Sequence, residues 1–251
     1  MPVRNNILIT GASSGLGEGM ARLFAAQGRN LALCARRMDR LETLKAELEQ
    51  KHPDITVLIK PLDVADYNQV FSVFDAFRTE LGGIDRVIVN AGMGKGQPLG
   101  TGYFHANRQT AEVNFVAALA QMEAAMEIFR AQNDGHLVVV SSMSAMRGMK
   151  KNLTTYAATK AGVAMLAEGL QMELMGTPIK VTTLFPGFIR SEINEKLKNT
   201  PFIVDTETGC KALVKNIEKE VMHAAVPAWP WAPMGVAMRN FPLKVVDKLM
   251  G

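Results

Sequence analysis

Short apolar, β-branched runs alternate along this chain with longer stretches in which apolar residues return every three or four positions. The short runs, at residues 5–10, 30–35, 56–60, 86–90, 136–141, 180–185 and 221–227, predict strands. Between them Leu41, Leu44 and Leu48, then Val70, Phe74, Phe77 and Leu81, then Met122, Met126 and Phe129 repeat at helical spacing. Strand–helix alternation implies βαβ crossovers, and their right-handedness gives a parallel sheet covered on both faces. The expected fold class is therefore α/β, a doubly wound parallel sheet of about seven strands in a single domain. In that architecture ligands bind beyond the carboxyl ends of the strands.

Composition narrows this picture without changing it. A chain of 251 residues that is 48% hydrophobic suits one large domain, and no linker, low-complexity block or repeat divides it. The formal charge of +4 comes from scattered Lys and Arg interleaved with acids, which reads as solvated helix faces, so no nucleic-acid partner is expected. No run approaches the roughly 18 to 20 apolar residues that cross a bilayer. The first strand pattern begins at Asn5, so no signal peptide is expected ahead of it and a cytoplasmic location is the expectation. Cys34 and Cys210 match no metal-ligand spacing, no metal is expected, and Cys34 reads as a small buried hydrophobe.

Two motifs carry chemistry. Gly11, Ser13, Ser14, Gly15, Leu16 and Gly17 follow the first strand and open a helix bearing Met20 and Leu23. Glycines there let the turn form and the backbone approach a pyrophosphate, while the helix start supplies free N–H groups and partial positive charge. Far downstream, Tyr156 and Lys160 stand four residues apart on one helical face. A phenol has a pKa of about 10, and an ammonium one turn away is expected to lower it toward neutrality. Taken alone, the pair carries little weight, because an ordinary amphipathic helix with a snorkelling lysine shows the same spacing.

Order along the chain adds weight: the glycine loop, then Asn90, Ala91 and Gly92, then Asn114, Ser141 and Ser142, Tyr156 and Lys160, and Pro186 and Gly187. With these residues in this order the sequence closely resembles the short-chain dehydrogenase/reductase family, from about residue 3 to about residue 227. The resemblance implies a Rossmann-type fold, a nicotinamide cofactor and homo-oligomerisation, as dimer or tetramer, through the helices holding Asn114 and Tyr156. It also implies roles. Tyr156 is the general acid or base, Ser142 bonds the carbonyl oxygen, Lys160 tunes Tyr156 and holds ribose hydroxyls, and Asn114, inside the fifth helix, helps hold a water beside Lys160. Asp63 and Val64 meet adenine, Asn90 to Gly92 let the cofactor lie against the sheet, and Pro186, Gly187, Ile189 and Ser191 cradle the nicotinamide.

Cofactor choice is expected at the end of the second strand. NAD-preferring members carry an acid where this chain has Ala35, followed by Arg36 and Arg37, whose guanidinium groups suit the 2′-phosphate of NADP. Arg36 is the preferred contact, with Arg37 either a second contact or a surface charge opening the next helix. The chain departs from the family pattern in Val89, where a second asparagine is usual, and in Ser191, where threonine is usual. The interval from Ser142 to Tyr156 is also one residue longer than the commonest, and the extra residue is assigned to the 150–155 loop.

No cluster of Arg or Lys awaits a carboxylate or phosphate on the substrate side, and methionine is abundant, so an apolar ketone, aldehyde or secondary alcohol is expected. A 3-oxoacyl-thioester reductase and a catalytically silent nucleotide-binding sensor or scaffold stand as alternatives. Residues 228–251 form an apolar extension with Trp229, Trp231, Met234, Met238, Phe241, Leu243, Val246 and Leu249. Its loose likeness is to the hydroxysteroid-dehydrogenase-like branch. Three roles are open to it: a pocket cover, a subunit interface, and a membrane-surface contact through Lys244 and Lys248.

Overall fold

In the computed structural model, which describes residues 3–192 and 200–249, seven parallel strands form one sheet. They are β1 (Asn6–Thr10), β2 (Asn30–Ala35), β3 (Val57–Pro61), β4 (Arg86–Val89), β5 (His136–Val140), β6 (Lys180–Pro186) and β7 (His223–Val226). Their spatial order is β3-β2-β1-β4-β5-β6-β7. The chain walks outward from β1 to β3, crosses back to β4 and walks to β7. Strand order thus reverses between β1 and β4, which opens a crevice at their carboxyl ends.

Successive side chains of a strand point to opposite faces, and here both faces are buried. Ile7, Ile9, Ile88, Val138 and Val140 pack with Met20, Phe24, Leu41, Leu44, Leu48, Leu213 and Ile217 on the side of α1 (Gly15–Ala25), α2 (Met38–Lys51) and α7 (Thr206–Glu218). Leu8, Val87, Val89, Leu137 and Val139 pack with Val70, Phe74, Phe77, Met122, Met126 and Phe129 on the other side. That layer is built from α3 (Tyr67–Leu81), α5 (Ala117–Gln132) and α6 (Thr154–Glu173), with α4 (Phe104–Ala111) leading into α5. Burying each such Leu, Ile or Phe contributes roughly 1.5–3 kcal/mol. Helices α1 and α7 meet closely: a Cβ on Gly19 would lie 2.5 Å from Cys210 Sγ, so a side chain there would force them apart. Burial pushes the Cys210 thiol up to about 12 and raises that of Cys34 as well, which leaves both as inert packing groups.

The extension folds into α8 (Ala228–Asn240), with a break in helical geometry at Trp229, and α9 (Leu243–Leu249). Trp231, Met238 and Val246 form a third, small core with Met143 and Phe185, joined by Met146, Phe188 and Met234. A Cβ on Gly187 would lie 2.1 Å from the Trp231 indole, so only glycine lets the ring seat there. Lys150 pairs with Asp247 at 2.6 Å, and Arg147 donates to the Arg239 carbonyl at 3.1 Å. These residues therefore pack on the segments leaving β5 and β6. Trp229 stays 80% exposed. Among the described residues, no helix is long and apolar enough to cross a membrane.

At the amino end of the sheet lies a buried ion cluster that periodicity does not announce. Arg4 donates to Asp134 at 2.7 Å and to Glu220 at 2.8 Å, while Arg86 pairs with Glu218. Glu220 adopts a left-handed backbone, φ 46°, a strained choice for a residue with a Cβ. His136 sits at the centre, fully buried. Thr182 Oγ1 donates to the Val221 carbonyl at 2.6 Å, so it must accept from His136 Nε2, 2.9 Å away. That leaves Nδ1 to accept from Arg86 Nε at 2.9 Å, which fixes a neutral tautomer. Burial first, then the charges of Arg86 and Arg4, hold the His136 pKa well below its ordinary value.

Candidate active site

The glycine loop is packed against the end of β4, across the reversal of strand order. A Cβ on Gly11 (φ 66°) would lie 2.9 Å from Ala91 Cα, and one on Gly17 would lie 2.5 Å from the Gly11 carbonyl oxygen. Thr10 holds the arrangement: its Oγ1 accepts from the N–H groups of Asn90 and Ala91, each at 3.1 Å, while Asn90 Nδ2 donates to the Thr10 carbonyl at 2.9 Å. Ser14 is the N-cap of α1 but makes no side-chain cap bond, so the first N–H groups of that helix lack a capping side chain. A narrow backbone cradle ending in uncapped N–H groups fits a dinucleotide pyrophosphate.

At the end of β2 the two arginines part company. Arg37 turns inward, donating from Nε to Ser13 Oγ at 3.2 Å and from Nη2 to Ser14 Oγ at 2.6 Å. Arg36 is exposed and has no hydrogen-bond or ionic partner among the described residues. After β3, Asp66 rather than Asp63 caps α3, accepting from Gln69 N at 3.1 Å. Asp63 instead accepts from Ala65 N at 3.1 Å, and the Val64 side chain enters the core.

Tyr156 and Lys160 lie one turn apart in α6, as their spacing predicts. Three serines compete for the place beside them, and the geometry separates them. Ser141 Oγ donates to the Lys160 carbonyl at 2.7 Å, and Ser144 Oγ is buried with no partner among the described residues. Ser142 is the serine whose side chain acts on the Tyr156 hydroxyl, favouring its ionised form. Its oxygen also accepts from Ser144 N at 3.2 Å, which leaves its proton for an acceptor oxygen.

The acidity of the pair departs from expectation. Burial pushes the Tyr156 phenol up, opposed by the hydrogen bond to Ser142. The lysine does not draw it down, because Lys160 Nζ donates to the Val140 carbonyl at 2.9 Å and stands 6.0 Å from the tyrosine ring centre. Burial acts on the lysine too, pushing its ammonium down to about 8.

Asn114 lies not in a regular α-helix but in a π-helical turn, Glu112–Val116, between α4 and α5. Its amide clasps Met93, accepting from the N–H and donating to the carbonyl at 2.8 Å each, and reaches Thr159 Oγ1 at 3.5 Å. The wider turn carries Asn114 to the loop after β4. A Cβ on Gly92 would lie 3.3 Å from Asn114 Oδ1 and 3.4 Å from Lys160 Nζ, so this glycine separates the two by little more than its own backbone.

Beyond β6, Pro186 ends the strand and Gly187 receives Trp231. Ile189 pairs in a short bridge with Val204 and packs on Gly209, where a Cβ would lie 2.4 Å from its side chain. Its side chain is thus committed to the core. Ser191 stands against the glycine loop, its Cβ 3.4 Å from where a Cβ of Gly15 would be. Sequence reasoning passed over Thr10 and Glu192. A threonine closing the strand ahead of the glycines signals the first, and an acid directly after Ser191 signals the second.

Comparison with known proteins gives the same frame. A sequence model of the short chain dehydrogenase family matches residues 5–201. An uncharacterised oxidoreductase of Mycobacterium tuberculosis is 56% identical over 231 residues, covering 92% of this chain and 91% of that protein. Among solved structures, an alcohol dehydrogenase from the archaeon Thermococcus sibiricus complexed with 5-hydroxy-NADP is 25% identical with a TM-score of 0.79, covering 88% of this chain and 95% of that one. A short chain dehydrogenase/reductase from Burkholderia phymatum in complex with NAD has a TM-score of 0.84 at 20% identity, covering 98% and 95%, a likeness of fold alone.

Proposed function

The chain belongs to the short-chain dehydrogenase family and is an oxidoreductase of it, and from that premise we propose that it moves a hydride between NADP(H) and an apolar ketone, aldehyde or secondary alcohol, with Tyr156 as general acid or base. The observation that carries this reading is that Tyr156 and Lys160 stand one helical turn apart, with Lys160 Nζ beside Gly92 and on the Val140 carbonyl, at the carboxyl ends of β4 and β5.

NADP(H), when bound, supplies the hydride chemistry at its nicotinamide. The chain's residues do the rest. Gly11, Ser13, Ser14, Gly15, Leu16 and Gly17 hold the pyrophosphate, Arg36 and Arg37 the 2′-phosphate, and Asp63 and Val64 the adenine. Asn90, Ala91 and Gly92 let the cofactor lie close, and Lys160 and Tyr156 hold ribose hydroxyls. Pro186, Gly187, Ile189 and Ser191 cradle the nicotinamide, Ile189 through its backbone because its side chain is buried.

Ser142 gives a hydrogen bond to the carbonyl oxygen as charge builds there, and Tyr156 gives the proton. A phenol kept protonated suits the acid role that carbonyl reduction requires. Met143, directly after Ser142, packs with Met146, Trp231, Met234 and Met238, and this apolar cluster supports an apolar substrate and a pocket-covering role for the 228–251 extension. Exposed Val116, Leu119, Met165 and Met172 on the helices holding Asn114 and Tyr156 support a homodimer or homotetramer through that face.

The test is a panel of apolar carbonyls and alcohols with NADPH and NADH, followed by absorbance, beside an acetoacetyl thioester. Turnover of apolar ketones with NADPH supports the reading. Thioester turnover alone moves the assignment to a 3-oxoacyl reductase, and nucleotide binding without any turnover makes the chain a sensor. Arg36→Ala should weaken NADPH far more than NADH, and equal wild-type affinities for the two would remove the NADP assignment.

A further inference from the structure

The arginines at the end of β2 already hold an anion that belongs to the chain. Glu192, directly after Ser191, accepts from Arg37 Nη1 at 3.0 Å and is also bonded to Arg40 Nη1. Arg37 therefore uses all three of its nitrogens: Nε on Ser13, Nη2 on Ser14 and Nη1 on Glu192. The Ser14 side chain also favours the ionised Glu192 carboxylate. Glu192 thus holds two of the three arginines near it, one of which also holds both serines of the glycine loop.

We propose that Glu192 is an internal competitor for the phosphate-reading arginines, occupying Arg37 and Arg40 until a 2′-phosphorylated adenosine displaces it. The inference rests on the NADP reading above and adds to it a residue that sets how strongly the 2′-phosphate is preferred. The geometry supports competition. A phosphate that takes a guanidinium by two parallel bonds must recover Nη1 of Arg37, and that nitrogen is spent on the carboxylate. Arg36, exposed and without a partner among the described residues, remains free to meet the phosphate first.

The competitor is permanent. Bonding to Arg40, opposed by partial burial and reinforced by Arg37 and Ser14, pulls the Glu192 carboxyl down to about 2. It is ionised throughout the neutral range, so mild acid leaves the competition in place and only a stronger anion or high salt relieves it.

The experiment uses adenosine 2′,5′-bisphosphate and adenosine 5′-monophosphate, titrated by calorimetry into the full wild-type chain and into Glu192→Gln, at low and at high salt. Glu192 is 48% exposed, so the variant keeps the packed core. Glu192→Gln should bind the bisphosphate about three to five times more tightly at low salt, the scale of an exposed ion pair, with a smaller gain for the monophosphate and the gap narrowed at high salt. Unchanged or weaker bisphosphate binding in Glu192→Gln, with the wild type still preferring the bisphosphate, overturns the competitor and leaves the NADP reading standing. A wild type that binds both nucleotides equally overturns the NADP reading itself, and the competitor with it.

Discussion

At the amino end of the sheet the buried Arg4, Arg86 and His136 are bonded to one another or to the carboxylates of Glu220 and the half-buried Glu218. At the carboxyl end Tyr156, Lys160 and Ser142 are also gathered, yet Lys160 has a carbonyl in place of a carboxylate, and Ser144 Oγ and Trp231 Nε1 are buried with no partner among the described residues. The same strands thus support a closed electrostatic circuit at one end and an open one at the other. A closed circuit stabilises only while every member is present, because one removed partner strands a buried charge. An open one sacrifices stability to keep donors in hand for a ligand.

The largest break in this comparison should come from Tyr156→Phe. Removing one hydroxyl from the open end is expected to lower turnover roughly a thousandfold, the scale of general acid catalysis, with a melting temperature close to wild type. Steady-state kinetics beside a thermal melt would check it, and near-normal turnover would remove Tyr156 from the mechanism. Next in size, Glu220→Gln at the closed end should cost about 3 kcal/mol in urea unfolding while leaving nucleotide affinity intact. A loss below about 1 kcal/mol would mean that Arg4 and Arg86 find water or another carboxylate.

The pH dependence sharpens the contrast further. His136 is buried neutral, with its folded pKa well below the ordinary 6.5, so the unfolded chain binds a proton there that the folded chain refuses. Its contribution to stability is full above pH 6.5 and is lost as pH falls below it, by up to about 1.4 kcal/mol per pH unit. Unfolding series across that window should show the slope, and His136→Asn should flatten it. Smallest is Lys160→Met. Burying an ammonium works against folding, so this variant should gain about 1 kcal/mol while losing both turnover and nucleotide affinity. A clear loss of stability would show that its bond to the Val140 carbonyl outweighs the burial.

Much of this was legible along the chain because it is local. The seven strands follow from runs of five to seven residues, and the β2 run at 30–35 is reproduced residue for residue, while the last strand starts at His223 instead of residue 221. Tyr156 and Lys160 are one turn apart in any helix. What stayed hidden depends on distant partners. Arg4 and Glu220 are separated by 216 positions, and Arg37 and Glu192 by 155, so no periodicity links them. The π turn at Asn114 is one residue of slippage in an otherwise helical pattern, held by bonds to Met93 that lie outside the helix. The direction of the Tyr156 phenol depends on distant partners too: spacing gives the distance to Lys160 but not the desolvation of the phenol or the carbonyl that claims the buried ammonium.

The seating of Trp231 on Gly187 has a spectroscopic consequence. The chain has two tryptophans, two positions apart, one 80% exposed and the other 1% exposed. Their emission should divide into a red, quencher-accessible component from Trp229 and a blue, protected one from Trp231. Because the protected ring rests on the glycine that follows β6, the blue component is an intrinsic lamp mounted at the candidate nicotinamide cradle. Its dimming on addition of a reduced nicotinamide would read occupancy of that cradle directly, without label or turnover.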